Sequence, residues 1–128
     1  MTHKSKLEDL KSRHLEAEKM GGQQKLLKRR NSGLLNARER LTYIFDTDSF
    51  REIGKFVTSL EPSERTKTPS DGKITGFGKI NGRRVAAVAN DLTVKGASST
   101  ILNAKKIAYL KKNSERIGIP LIFLAESS

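Results

Sequence analysis

Val85-Ala86-Ala87-Val88-Ala89-Asn90-Asp91-Leu92 has the composition of a buried strand, Lys95-Gly96-Ala97-Ser98 reads as a turn after it, and Leu121-Ile122-Phe123-Leu124-Ala125 is a second short apolar run. Between them, Ser99 to Arg116 has helical spacing, and Gly118 and Pro120 supply the stop signals. Strand, helix, buried strand reads as a right-handed βαβ crossover with parallel strands, which sets the fold class as α/β. On the helix, Ile101, Ala104, Ile107 and Ala108 are expected to lie against the sheet, and Lys105, Lys106, Lys111 and Lys112 to face outward. Ligand sites in such units gather at the carboxyl ends of the strands, here Thr93–Ser98 and Glu126–Ser128. Backbone N–H groups before a helix favour an anion or a developing oxyanion. An ordinary strand-to-helix turn capped by Ser98 or Ser99 is the competing reading.

Upstream of that unit, Ile74-Thr75-Gly76-Phe77-Gly78-Lys79-Ile80 and Arg83 to Ala89 flank Asn81-Gly82. Both turn residues tolerate the positive φ of a type I′ turn, so the segment predicts a hairpin. Gly76 and Gly78 form only Gly-x-Gly inside a strand, a spacing that points to close backbone packing instead of a nucleotide loop. Phe50 to Val57 reads as a short strand broken by Gly54, and Glu61 to Gly72 as a mobile loop with almost nothing to bury. Asn36 followed by Glu39 has capping-box spacing and predicts a helix over 36–45. Residues 5–30 carry scattered leucines around Gly21-Gly22 and predict two short helices joined by a hinge, which need a neighbour to bury their apolar stripes.

The 128 residues allow one small domain, and 35% hydrophobic content makes its core modest. With no cysteine, the chain has no disulfide framework, zinc ribbon or thiol nucleophile. No apolar run approaches bilayer length and no signal-peptide pattern opens the chain, so a soluble cytoplasmic protein without a membrane partner is expected. The net charge of +11 is densest toward the N-terminus: residues 1–45 hold 11 Lys+Arg against 5 Asp+Glu, with Lys25, Lys28, Arg29 and Arg30 closest together. Such a cluster can grip a polyanion, dock on an acidic surface or simply be solvated. Aromatic residues for base stacking make up only 5% of the chain, which weakens a nucleic-acid reading.

Side-chain catalysts are hard to find. His3 and His14 lie in a polar stretch without metal-ligand or triad spacing and read as solvated. Glu8/Asp9, Glu16/Glu18 and Asp46/Asp48 read as helix-surface or turn residues, so general acid–base chemistry has no candidate and the chemistry left is that of the backbone. The sequence halts at Glu126-Ser127-Ser128, immediately after the second parallel strand. Two parallel strands with one crossover would leave an open edge and an uncovered sheet face, the pattern expected of a piece of something larger.

Six runs in order resemble the N-domain of biotin-dependent acyl-CoA carboxyltransferases, the β-type subunits of propionyl-CoA and acetyl-CoA carboxylases. They are Leu35 to Leu41, Asp48 to Glu52, Asp71 to Gly78, Ile80 to Arg83, Asn90 to Ser98, and Ile119 to Ser128. The resemblance covers roughly residues 20 to 128. It implies a crotonase-like ββα superhelix, here incomplete and preceded by N-terminal helices, with residues 1–35 a basic helical segment and 36–128 the first part of the N-domain. It implies that carboxybiotin, carried on a biotin carboxyl carrier protein and charged by biotin carboxylase, gives its carboxyl group to the enolate of an acyl-CoA, within a homo-oligomer of the complete subunit. Oxyanions in this family are held by backbone N–H groups of glycine-containing turns. By motif, Gly96, Ala97 and Ser98 would border the acyl-CoA, with Ala97 standing where many members have a second glycine and thought less restricted than Gly96. The family's principal oxyanion turn follows the position of Ser128, so this stretch alone is expected to be inactive. The alternative is a free-standing basic module that binds nucleic acid or another partner.

Overall fold

A computed structural model describes residues 2–126. Four helices and four strands follow one another as α1 (His3–Glu18), α2 (Gln23–Asn31), α3 (Ala37–Ile44), β1 (Arg51–Ile53), β2 (Lys73–Ile80), β3 (Arg83–Asn90), α4 (Ile101–Ile117) and β4 (Leu121–Leu124). The sheet order is β1-β2-β3-β4. β1 pairs antiparallel with β2, β2 antiparallel with β3, and β3 parallel with β4, in a register that sets Ala87 opposite Ile122. The hairpin and the crossover are thus both present.

Side chains alternate across β3 as a strand requires. Val85, Ala87 and Ala89 join Met20, Ala37, Leu41, Phe45 and Ile74 on one face, while Ala86 and Val88 meet Leu110 on the other. The expectation of an uncovered sheet face is therefore corrected: α3 and the Met20 corner cover one side and α4 the other. A strand covered on both faces is apolar throughout, and this explains why Ala86 to Ala89 are small and fully buried.

The local signals act as their chemistry demands. Asn36 closes a full capping box with Glu39 on α3. Asn81 and Gly82 take φ of 51° and 78°, and both of their N–H groups donate to the Asp46 carboxylate, at 2.9 and 2.8 Å. A Cβ on Gly76 would lie 2.3 Å from the Arg51 carbonyl oxygen, and one on Gly78 would lie 2.5 Å from the Phe45 ring, so both glycines admit close packing.

Two expectations fail in this part of the chain. The segment from Glu61 to Gly72 is not a mobile loop: Pro62–Lys67 forms 3-10 turns, and Thr68 to Gly72 are buried against neighbouring elements. Polar side chains make that burial possible, because Ser70 Oγ donates to the Lys55 carbonyl at 2.8 Å and Thr68 Oγ1 accepts the Ser59 N–H at 2.8 Å. α4 is also turned differently from its apolar periodicity. Asn103, Lys106, Leu110 and Ser114 face inward, whereas Ile101 and Tyr109 are exposed, along with Ala104 and Ala108. Asn103 and Lys106 are satisfied by carbonyls of the Ser70–Lys73 corner and of Ser98, and Ser114 by the Leu110 carbonyl of its own helix, which outweighs the lost burial of two alanines and an isoleucine.

Candidate active site

β3 ends at Asn90, and the chain then folds into two successive tight structures before α4 begins. In the first, the Asp91 carboxylate accepts the Thr93 N–H at 3.0 Å and also the Thr93 hydroxyl. Burial raises the Asp91 pKa, opposed by its bonds from Thr93. In the second, Lys95, Gly96 and Ala97 take φ of 49°, 59° and 58°. Three consecutive left-handed residues form a sharp reversal, closed by Ala97 N–H donating to the Val94 carbonyl at 2.9 Å and Ser98 N–H to the Lys95 carbonyl at 3.2 Å.

That turn stands at the carboxyl end of a central strand and just before a helix N-terminus. The cap of α4 is Thr100, correcting Ser98 or Ser99: its hydroxyl accepts the Asn103 N–H, and the Asn103 side chain accepts the Thr100 N–H. The N–H groups of Gly96 and Ser99 have no acceptor among the described residues. Ala97 is not the freer neighbour of Gly96, since it shares the positive φ and is buried, while Ser98 is exposed. A cleft of about 180 Å³ opens beside the turn, lined by Ser59, Glu64, Thr68, Asp71, Lys95 and Ser98 among others.

The turn is anchored from below by buried side chains. Lys73 Nζ donates to the Ala97 carbonyl at 2.7 Å and to Asn90 Oδ1 at 2.9 Å, and burial lowers its pKa. Asn103 Nδ2 donates to the Ser98 carbonyl at 2.9 Å and to the Asp71 carbonyl at 3.0 Å. Lys106 Nζ donates to the carbonyls of Ser70, at 2.6 Å, and Lys73; desolvation pulls its pKa down to about 8. Asn103 carries a legible signal, its capping-box distance from Thr100. Lys106 carries none, because a lysine in a helix ordinarily points to water.

From the other side the N-terminal helices reach the same turn. Gly21 N–H donates to Thr93 Oγ1 at 2.9 Å, and Lys25 Nζ to the Thr93 carbonyl at 3.3 Å. Arg29 meets the Glu126 carboxylate at 3.0 Å, and the Glu126 carbonyl accepts from Asn90 Nδ2 at 3.0 Å. Two members of the basic cluster therefore bind this chain itself, whereas Lys28 and Arg30 remain exposed. Ser127 and Ser128, the rest of the second strand end, lie outside the described residues.

His14 is half-buried, not solvated: its Nδ1 lies 2.8 Å from Lys55 Nζ, and its ring meets Phe56 edge-on at 5.0 Å. It lines a wider groove of about 820 Å³ with Arg38, Glu52 and Phe56, remote in sequence from the Gly96 turn. Among the described residues no group of His, Asp and Glu could hold a metal ion, and no helix is long and apolar enough to cross a membrane.

A glycine turn with unpaired backbone donors at the carboxyl end of a strand in an α/β unit is an arrangement that favours an anion or an oxyanion. The model of the carboxyl transferase domain matches residues 28–128, and the chain belongs to that family. It is 36% identical, over all of its length, to the carboxyltransferase subunit of propionyl-CoA carboxylase from Haloferax mediterranei, covering 25% of that protein. It is 33% identical over 98% of its length to the methylmalonyl-CoA carboxyltransferase 12S subunit of Propionibacterium freudenreichii subsp. shermanii, again covering 25%. The transcarboxylase 12S crystal structure with hydrolyzed methylmalonyl-coenzyme A superposes with a TM-score of 0.92 at 31% identity, covering 100% of this chain and 26% of the other. That protein is described as a hexamer and a multienzyme core. The fold is that of the crotonase-like carboxyltransferase domains, and the chain spans about a quarter of the length of the relatives it matches.

Proposed function

We propose that this chain is part of a biotin-dependent carboxyltransferase that moves a carboxyl group from carboxybiotin to an acyl-CoA of the acetyl or propionyl type. The observation that carries the reading is the left-handed turn Lys95-Gly96-Ala97, which leaves the Gly96 and Ser99 N–H groups without acceptors among the described residues, beside a small cleft. Carboxybiotin, held on a biotin carboxyl carrier protein and charged by biotin carboxylase, supplies the activated carboxyl group. Gly96, Ala97 and Ser98 border the acyl-CoA, and the free donors favour negative charge on the thioester oxygen as the α-carbon loses its proton. The donors that the turn offers are main-chain groups, which suits a reaction stabilised by peptide dipoles. In this reading residues 1–35 form a basic helical segment and 36–128 the first part of the N-domain, within a homo-oligomer of the complete subunit.

The test is made in a full-length carboxyltransferase subunit carrying this sequence, assayed with its biotinylated carrier. Gly96→Val places a β-branched side chain at a positive φ next to the ligand. Its kcat/KM for acyl-CoA is expected to fall by a transition-state contribution of about 2–4 kcal/mol if a donor is displaced. Gly96→Ala, which the left-handed region admits at smaller strain, is expected to lie between it and the parent. Near-normal turnover by a folded Gly96→Val protein would remove the turn from the site.

A further inference from the structure

We infer that Lys73 and Asn103 are positioning residues that lock the peptide planes of the Ala97-Ser98-Ser99 segment and so aim its outward donor, the Ser99 N–H. The inference rests on the acyl-CoA reading of the Gly96 turn. It begins from a chemical oddity. The face that α4 turns to the sheet contains a carboxamide and an amine, Asn103 and Lys106, and a second buried amine, Lys73, stands beside them on β2. Burying such groups costs several kcal/mol before hydrogen bonds are counted, and leucine or methionine would fill the same space without that cost. What an apolar residue cannot do is hold a carbonyl.

Lys73 draws the Ala97 carbonyl inward at 2.7 Å, and Asn103 draws the Ser98 carbonyl inward at 2.9 Å. Every peptide bond in the described chain is trans, and in a trans peptide the C=O and N–H vectors point in opposite directions. Holding the Ser98 carbonyl toward α4 therefore directs the Ser99 N–H away from the core. Holding the Ala97 carbonyl directs the Ser98 N–H back onto Lys95, which closes the reversal around Gly96. Without these two donors the strained sequence of positive φ values, one of them at an alanine, has less to fix it, and a peptide flip becomes accessible.

Asn103 also ties down a second left-handed corner. Ser70, Asp71 and Gly72 have φ of 54°, 48° and 72°, and the Asp71 carbonyl accepts the other Asn103 N–H. A Cβ on Gly72 would lie 3.2 Å from the Val94 carbonyl oxygen. Asn103 thus bridges the two corners, and the Asp71-Gly72-Lys73 run contributes to the site both through this bridge and through Asp71, which lines the cleft.

The experiment uses two near-isosteric variants in the full-length subunit. Asn103→Asp keeps the oxygen that accepts the Thr100 N–H and so keeps the helix cap, while it replaces the donor to Ser98 by an acceptor; Lys73→Met keeps the aliphatic stem and deletes the amine. Each is expected to lower kcat for acyl-CoA carboxylation by about tenfold or more with KM changed by no more than about twofold, because aim and not binding is lost. Exchange of the hydrogen-bonded Ala97 and Ser98 amides is expected to accelerate in both variants, while the hairpin amides stay protected. Folded variants with parental kcat overturn the inference. So does a failure of both variants to fold, which would assign the two side chains to the core alone. If the parent subunit itself neither binds nor carboxylates acyl-CoA, the reading of the turn falls first, and accelerated exchange at Ala97 and Ser98 still reports whether the two side chains hold the peptides.

Discussion

Lys106 brings an amine into a site where, among the described residues, two groups, the Ser70 and Lys73 carbonyls, accept from it. A neutral amine has two N–H bonds and satisfies both, so the third proton of the ammonium form gains little. Desolvation accordingly wins over the attraction of Glu52 and Asp71 and brings the pKa down from 10.5 to about 8. The sign of the consequence follows from proton counting. Between about pH 8 and 10.5 the unfolded chain holds a proton on this lysine that the folded chain has released, so the group's contribution to stability rises with pH through that window. The full effect is on the order of 3 kcal/mol. Lys106→Met removes it, and the comparison by urea unfolding at pH 7.5 and pH 10 is expected to show the parent gaining on the variant at the higher pH. A constant difference at both values would mean that Lys106 remains charged in the folded chain. Lys73 shifts in the same direction in both proteins and cancels in the comparison.

At the scale of elements, α4 shows what periodicity reveals and what it misses. Its existence, its left-handed Gly118 stop and its crossover role were legible, because seventeen residues of helical spacing lie between two strand-like runs. Its rotation was not legible, because a hydrophobic stripe is a guide only while the opposing surface is apolar. Here that surface is a corner of backbone carbonyls, and polar side chains answer it. The candidate turn is marked by its position in the crossover, while Lys73, Asn103 and Lys106 beneath it bind main-chain atoms that no side-chain motif records. The cap can be tested in the same terms. Thr100 Oγ1 accepts from Asn103 and donates to the Asp71 carboxylate, so Thr100→Ala is expected to cost about 1–2 kcal/mol in chemical unfolding. Ser99→Ala, at an exposed position without a cap bond, is expected to stay within about 0.5 kcal/mol of the parent. Equal costs would return the cap to the serine.

At the scale of the molecule, the N-terminal helices meet the sheet domain at several contacts, one of which is an unusually close approach. The sequence marked Gly21-Gly22 as a hinge between two helices, and it is one, but chain composition could not show that the hinge rests on the Thr93 turn some seventy residues away. The two glycines serve different ends. Gly22 has φ 102°, and a Cβ there would meet no atom within 4 Å, so its role is conformational; Gly21 has no positive φ, and a Cβ there would lie 1.8 Å from the Thr93 carbonyl oxygen. A backbone oxygen cannot move aside as a flexible side chain does. Gly21→Ala must therefore push the hinge off the turn, breaking the Gly21 bond to Thr93 Oγ1 and drawing Lys25 from the Thr93 carbonyl. The cost is expected near the upper end of the about 1–3 kcal/mol that overpacking brings. Gly33→Ala provides the comparison, since its φ of 75° is strained for alanine but the space around it is open, and about 1 kcal/mol is expected there. Denaturant unfolding of the two variants, with trypsin cleavage in α1 as a local readout, separates the cases. Faster cleavage confined to Gly21→Ala identifies the contact as the latch of the N-terminal helices on the candidate site, whereas equal stability and equal cleavage would mean that α1 and α2 are held by their other contacts and that the close approach at Thr93 yields freely.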